Sequence, residues 1–263
     1  MTSIGAHVHR VDPFAEATES GAAVAQFFLG DPQDWKAPVF PGGDAGAVRD
    51  AFAGAGIDVY IHAPYRINVA TANNRIRIPS RKLLGQHLAA AAEIGAKGLI
   101  VHGGHVEAGT DLDEGYENWR KAVERVKRPV PMLIENTAGG DRAMARGLAA
   151  VARLWDAISD GLDDNVGFCL DTCHAFAGGE DLDGIVDRVK AITGRIDLVH
   201  CNNSRDEQGS GRDRHATITT GTIDPEVLLG VVRAAGATAI CETPAEDGGL
   251  AADVSWLKQH LRG

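Results

Sequence analysis

The chain has 263 residues, of which 44% are hydrophobic and 24% charged, and a formal net charge of -10. That length suits one (β/α)₈ barrel around one large core, so a single domain over residues 1–263 is expected. No run of about 18 apolar residues exists to cross a membrane, and the acidic balance argues against nucleic-acid binding unless bound cations offset it inside one pocket.

The first residues, MTSIGAHVHR, lack the basic start and apolar stretch of a secretory signal, which predicts a cytoplasmic location. Apolar, β-prone stretches then recur along the chain: 3–8, 24–29, 57–62, 98–102, 132–135, 166–171, 196–200 and 238–242. Between them, helical spacing is clearest over 81–95, 112–126 and 144–158. Ser80 after Pro79 is expected to cap the first of these, and Asp224-Pro225-Glu226 reads as a cap followed by proline at the first helical position.

Strict strand–helix alternation predicts a parallel sheet covered by helices, and eight repeats favour a closed TIM barrel. No Gly-x-Gly-x-x-Gly turn follows the first strand, so no nucleotide cofactor is expected. Two connections are long and polar, 63–79 and 202–222; functional loops concentrate at the C-terminal face of such barrels. Cys169, Cys173, Cys201 and Cys241 make no Cys-x-x-Cys pair and read as buried thiols.

The residue closing each strand is informative, because that rim carries the chemistry of a β/α barrel. Strands three to eight end at His62, His102, Glu135, Asp171, His200 and Glu242. Imidazole mixed with carboxylate is a donor set for Zn, Mn or Fe, whereas a salt-bridge network would need Lys or Arg at these tips. His174, three beyond Asp171, and the Asp-x-His pair Asp213 and His215 extend the set to nine. Nine donors exceed one tetrahedral ion and suit two or three metals sharing a carboxylate, an arrangement used for phosphoryl transfer. Taken singly, a strand-end histidine is more often structural. His7, His9 and His105 fall near the rim without a matching partner, and His87 and His260 fall in helical stretches. Arg66, Asn68 and Arg75 after strand three, with Arg205, Arg212 and Arg214 after strand seven, are candidate phosphate contacts, and Tyr65 can stack on a base.

The stretches IGAHV, HAPYRIN, VHGGH, IENTAGG, LDTCHAFAGG, HCNNS, GSGRDRH and CET resemble the endonuclease IV family along nearly the whole chain. The resemblance implies a monomer with three zinc ions, replaceable by Mn²⁺ or Fe²⁺, that hydrolyses the phosphodiester 5′ to an abasic site in double-stranded DNA. The products would be a 3′-hydroxyl and a 5′-deoxyribose phosphate, with trimming of blocked 3′ ends as a companion activity. Carried over by position, His62, His102 and Glu135 would hold the first zinc, and Glu135, Asp171, His200 and Glu242 the second. His174, Asp213 and His215 would hold the third, and Glu135 would be the catalytic bridging carboxylate.

The sequence departs from the family pattern in three places. LGDPQDWK has Gln33 and Asp34 where an Arg and a Gln usually enter the DNA; Gln33 stays a candidate DNA contact. ATITTGTID follows His215 in place of a glycine-rich acidic turn, and HCNNS has Asn203 where Asp is common. The competing enzyme is a metal-dependent sugar isomerase or epimerase, which would need Glu135, Asp171, His200 and Glu242 but not the third set. A non-catalytic DNA-damage binding module would not need every ligand.

Overall fold

The computed structural model describes residues 2–244 and 248–261; residues 1, 245–247 and 262–263 of the expected domain lie outside the described residues. Eight parallel strands close a barrel: β1 (Ile4–His7), β2 (Val24–Phe28), β3 (Asp58–His62), β4 (Gly98–His102), β5 (Met132–Glu135), β6 (Val166–Asp171), β7 (Leu198–His200) and, after the short antiparallel pair β8 (Asn203–Ser204) and β9 (His215–Ala216), β10 (Thr238–Cys241). β1 pairs with both β2 and β10, which closes the ring. The helices are α1 (Pro13–Glu19), α2 (Ala45–Ala55), α3 (Asn74–Glu93), α4 (Leu112–Arg125), α5 (Leu148–Ile158), α6 (Thr172–Gly178), α7 (Ile185–Thr193), α8 (Pro225–Ala235) and α9 (Gly249–His260). No helix among the described residues is long and apolar enough to cross a membrane.

Local chemistry explains the element ends. Asp111 caps α4 through the Asp113 N–H, with Asp113 and Glu114 in the first turn and Arg125 in the last, all matched to the helix dipole. Asp224 caps α8 ahead of Pro225, as the sequence predicts.

Two helix starts differ from expectation. α3 begins at Asn74, capped by Asn73, and runs through Pro79. The Arg77 guanidinium secures this first turn by bonding the carbonyls of Thr71 (2.8 Å) and Ala72 (3.1 Å). Ser80 is no cap; its buried hydroxyl accepts the Asn68 N–H at 3.0 Å. α5 begins at Leu148, because Met144 and Ala145 are buried in the preceding loop, where Met144 N–H bonds the Gly104 carbonyl and Thr137 N–H the Ala145 carbonyl. Tertiary burial there outweighs helical spacing.

Two apolar layers result. The larger packs the helices onto the outside of the strands. The smaller, Val24, Ile100, Leu133, Cys169, Leu198 and Ile240 with Tyr60 against it, joins residues from seven strands and plugs the barrel interior.

Candidate metal centre

The polar layer lies two residues beyond that plug on every contributing strand. Because strand side chains repeat with period two, the residue after next faces the same way. Val24 leads to Gln26, Tyr60 to His62, Ile100 to His102, Leu133 to Glu135, Cys169 to Asp171, Leu198 to His200 and Ile240 to Glu242. On β1, Gly5 leads to His7; a Cβ on Gly5 would collide with Val24. One ring of interior side chains is therefore apolar, and the next is entirely imidazole, carboxylate and amide.

Glu135 sits at the middle of this ring, fully buried. Its Oε2 lies 3.3 Å from His62 Nε2 and 3.2 Å from His102 Nε2, while Oε1 lies 3.0 Å from His200 Nδ1 and 3.3 Å from His174 Nδ1. The two oxygens thus face two different donor groups. His62, His102 and Glu135 have ligand atoms close enough to hold one cation, and Glu135, Asp171, His200 and Glu242 another.

A third group forms around Asp213, whose Oδ2 lies 3.1 Å from His174 Nε2 and whose Oδ1 lies 3.1 Å from His215 Nε2. His174 and His215 also converge with Asp171. β9 delivers His215, and the loop before it carries Asp213. That loop reaches the site because Gly211 N–H bonds the Ala177 carbonyl and Gly211 packs backbone to backbone on Gly139, where a Cβ would collide with the Gly211 carbonyl. α6 delivers His174, since Asp171 caps it through the His174 N–H at 2.7 Å.

The donors fit divalent cations by their chemistry. Among the described residues, Glu135, Asp171, Asp213 and Glu242 have ion-pair partners only in histidines, with no Lys or Arg nitrogen within 4.0 Å. Glu135 and Asp171 are fully buried, and carboxylates gathered around them at this density need compensating positive charge. The imidazoles are also oriented from behind. His62 Nδ1 donates to the Ala63 carbonyl (2.8 Å), His174 Nδ1 to the Asn136 carbonyl (2.9 Å) and His200 Nε2 to Gln26 Oε1 (2.8 Å). Each leaves the opposite nitrogen facing the carboxylates, the outer support metal-binding histidines use.

Electrostatics follow the same geometry. Burial would raise Glu135, but the imidazoles of His102 and His200 outweigh it and hold the carboxyl well below its ordinary range. Burial would likewise raise Glu242 and Asp213. The former is held low by His200 and His7, the latter by hydrogen bonds from His174 and His215. Asp171, fully buried like Glu135, is instead raised by burial. His215 resists its own burial and is pushed up to about 9, chiefly by Asp213.

Sequence reasoning missed three amides. Gln26 donates to Glu242 Oε1 (2.6 Å) and accepts from His200. Asn202 donates to Asp171 Oδ2 (2.7 Å) and Glu242 Oε2 (3.0 Å), and Asn136 exchanges two hydrogen bonds with the Asp171 backbone. Period two alone points to Gln26; the other two follow strand ends and carry no comparable signal. His7 supports Glu242 Oε1 at 3.1 Å, whereas His9 and His105 are exposed.

The loop residues divide. Tyr65 is half exposed and packs its ring 5.6 Å from those of both His62 and His102. Arg66 is exposed, and its Nε bonds the Gln33 carbonyl at 2.8 Å. Gln33 and Arg75 are exposed on the same rim. Asn68 is buried, its amide spent on the backbone of Ala70, Thr71 and His105. Arg205 bonds the His215 carbonyl, and Arg212 and Arg214 both grip Asp206.

Comparison with known proteins agrees with this architecture. A family model described as a xylose isomerase-like TIM barrel matches residues 14–260. A protein of Mycobacterium tuberculosis (strain ATCC 25177 / H37Ra) named "Probable endonuclease 4" is 57% identical over 256 residues, covering 97% of this chain and 98% of the relative. The crystal structure of endonuclease IV from Thermus thermophilus superposes with a TM-score of 0.83 at 28% identity, covering 99% of both chains. A D-tagatose 3-epimerase-like protein superposes with a TM-score of 0.74 at 16% identity over 99% of this chain and 96% of its own, a likeness of fold alone.

Proposed function

The chain belongs to the endonuclease IV family of xylose isomerase-like TIM barrels, and from that premise we propose that it is a DNA repair endonuclease hydrolysing the phosphodiester 5′ to abasic sites in duplex DNA. The products are a 3′-hydroxyl and a 5′-deoxyribose phosphate. The cofactor is zinc, three ions per chain, and the enzyme acts as a cytoplasmic monomer.

The observation that carries this reading is the third donor group. A sugar isomerase or epimerase needs the set around Glu135, Asp171, His200 and Glu242; it has no use for Asp213 clamped between His174 and His215. His62, His102 and Glu135 would hold one ion, Glu135, Asp171, His200 and Glu242 the second, and His174, Asp213 and His215 the third. Bound divalent ions would supply Lewis acidity and a water of lowered pKa.

The protein's own residues set the geometry. Glu135 presents one oxygen to each of two donor groups and so fixes their spacing. Asn202 and Gln26 hold the carboxylates and imidazole of the second group in one orientation. Tyr65 walls the site beside His62 and His102, placed to stack on or wedge beside a base. Gln33, Arg66, Arg75, Arg205, Arg212 and Arg214 are the exposed groups offered to the DNA backbone, while Asn68 serves by bracing the loop that carries Tyr65 and Arg66.

The test is incision of a defined duplex containing one abasic site. Wild-type protein should cut it 5′ to the lesion without added magnesium, and Glu135→Gln should lose incision to below detection while its circular dichroism stays that of the barrel. Intact abasic DNA beside rapid epimerisation of a ketose would transfer the assignment to the sugar-isomerising branch of the fold.

A further inference from the structure

A groove of about 520 Å³ lies outside the metal centre, between the loop after β2 and the N-terminal half of α3. Trp35 forms one wall, and Arg75, Ile78, Lys82 and Gln86 form the other over a floor of Leu83. The α3 residues follow helical spacing and make one stripe along the helix. Trp35 is 40% exposed and Ile78 54% exposed, so a large apolar surface faces solvent here. Among the described residues, the charged groups lining it are the two cations Arg75 and Lys82, in a chain whose net charge is -10. Asp34, beside Trp35, pairs with Lys36 at 2.5 Å.

The groove is joined to the centre by a continuous ridge. Tyr65 packs on His62 and His102, its N–H bonds the Pro32 carbonyl at 3.0 Å, and Arg66 bonds the Gln33 carbonyl at 2.8 Å. Two hydrogen bonds thus strap the segment leading to Trp35 onto the wall of the metal site. A polyanion lying across that wall would meet Trp35 next.

The geometry points to a nucleotide subsite: the groove takes one unstacked base of the DNA strand against Trp35 and Ile78, with its phosphate on Arg75 and Lys82. An aromatic face with flanking cations binds single-stranded nucleic acid with little sequence preference, because every base has a π-face. This inference rests on the proposed action on DNA and assigns Trp35 and Lys82 to substrate handling. It gives the loop bearing Gln33 and Asp34 a way of holding DNA by a stacking wall rather than an inserted arginine.

The probe is an undamaged single-stranded oligodeoxynucleotide of about 12 nucleotides, titrated into the full-length protein at low salt. Tryptophan quenching reports on Trp35, and anisotropy of a labelled oligonucleotide reports affinity. Wild type should be quenched. Trp35→Phe should lose most of that quenching yet keep its affinity within about twofold, and Trp35→Ala should bind about tenfold more weakly. Arg75→Gln and Lys82→Gln should each lower the slope of log affinity against log salt by about 0.7, a readout independent of whether Trp35→Ala folds. Equal affinity of wild type and Trp35→Ala, or unchanged salt slopes in the glutamine variants, would overturn the subsite. So would a Trp35-dependent dimer in light scattering with DNA affinity unaltered, which would make the groove a contact between copies. Incision of an abasic duplex by the same wild-type preparation separates the two readings. Incision without any effect of Trp35 removes the subsite alone, whereas no incision removes the endonuclease assignment.

Discussion

At the residue scale, the centre is built from acids and imidazoles that face one another and whose outer atoms are fixed by amides. Gln26 is the clearest case, since it touches His200, Glu242 and His7 at once. Gln26→Leu keeps the size but removes all three hydrogen bonds, and it should weaken metal affinity or incision by about 10–100-fold. Competition with a chromophoric chelator measures the first; unchanged affinity would mean that His200 is oriented by packing alone. The Asp213–His215 pair makes a pH prediction for chelator-treated protein. The His215 pKa is raised from 6.5 to about 9, so its contribution to stability is complete below 6.5 and is lost as pH rises through about 9. The Asp213 pKa is lowered from 3.8, so its contribution is present above 3.8 and lost as pH falls. The pair is therefore worth most between about pH 4 and 6.5. Metal-free wild type should melt about 2–4 °C above Asp213→Asn in that window, and the gap should narrow as pH rises through about 9. A gap independent of pH would show that Asp213 acts through packing.

At the element scale, the departures in sequence after β7 turn out to be one feature. Asn203 donates to the carbonyls of Ile218 (2.7 Å) and Ile223 (2.8 Å), and its Oδ1 accepts from the N–H groups of Ser204 and Ile223. An aspartate could accept but could not donate, so the asparagine and the altered loop 216–224 belong together. Asn203→Asp should cost about 1–3 kcal/mol, from two stranded carbonyls and a buried charge, read as a melting-temperature drop of several degrees. A neutral substitution would break the link between the two departures. The barrel strands were largely legible: 98–102, 132–135 and 166–171 are read at their observed ends, because buried parallel strands are short apolar runs closed by a polar residue. The start of α3 was not, since Pro79 suggests a boundary while Asn73 and Arg77 secure an earlier turn. Nor were Asn136 and Asn202 legible, because their roles depend on partners 31 to 40 residues away across the ring.

At the scale of the whole molecule, the barrel turns a repeating pattern into a site. Seven strands each supply one plug residue and, two further on, one member of the polar ring, and β1 adds His7, so eight separate segments converge without any local motif. This is why the ring could be read from strand ends as His62, His102, Glu135, Asp171, His200 and Glu242, while its grouping around Glu135 required the closed fold. For an acidic chain to act on DNA as proposed, its positive charge would be concentrated: divalent ions in the ring, with the exposed Arg66, Arg75 and Lys82 outside it. Under the proposed function three donor groups, not two, hold ions. Elemental analysis of the purified, fully loaded full-length chain tests it most directly. About three zinc ions per chain are expected, falling to two in Asp213→Asn together with a loss of abasic-site incision. One ion per chain, or the same count and activity in that variant, would contradict it.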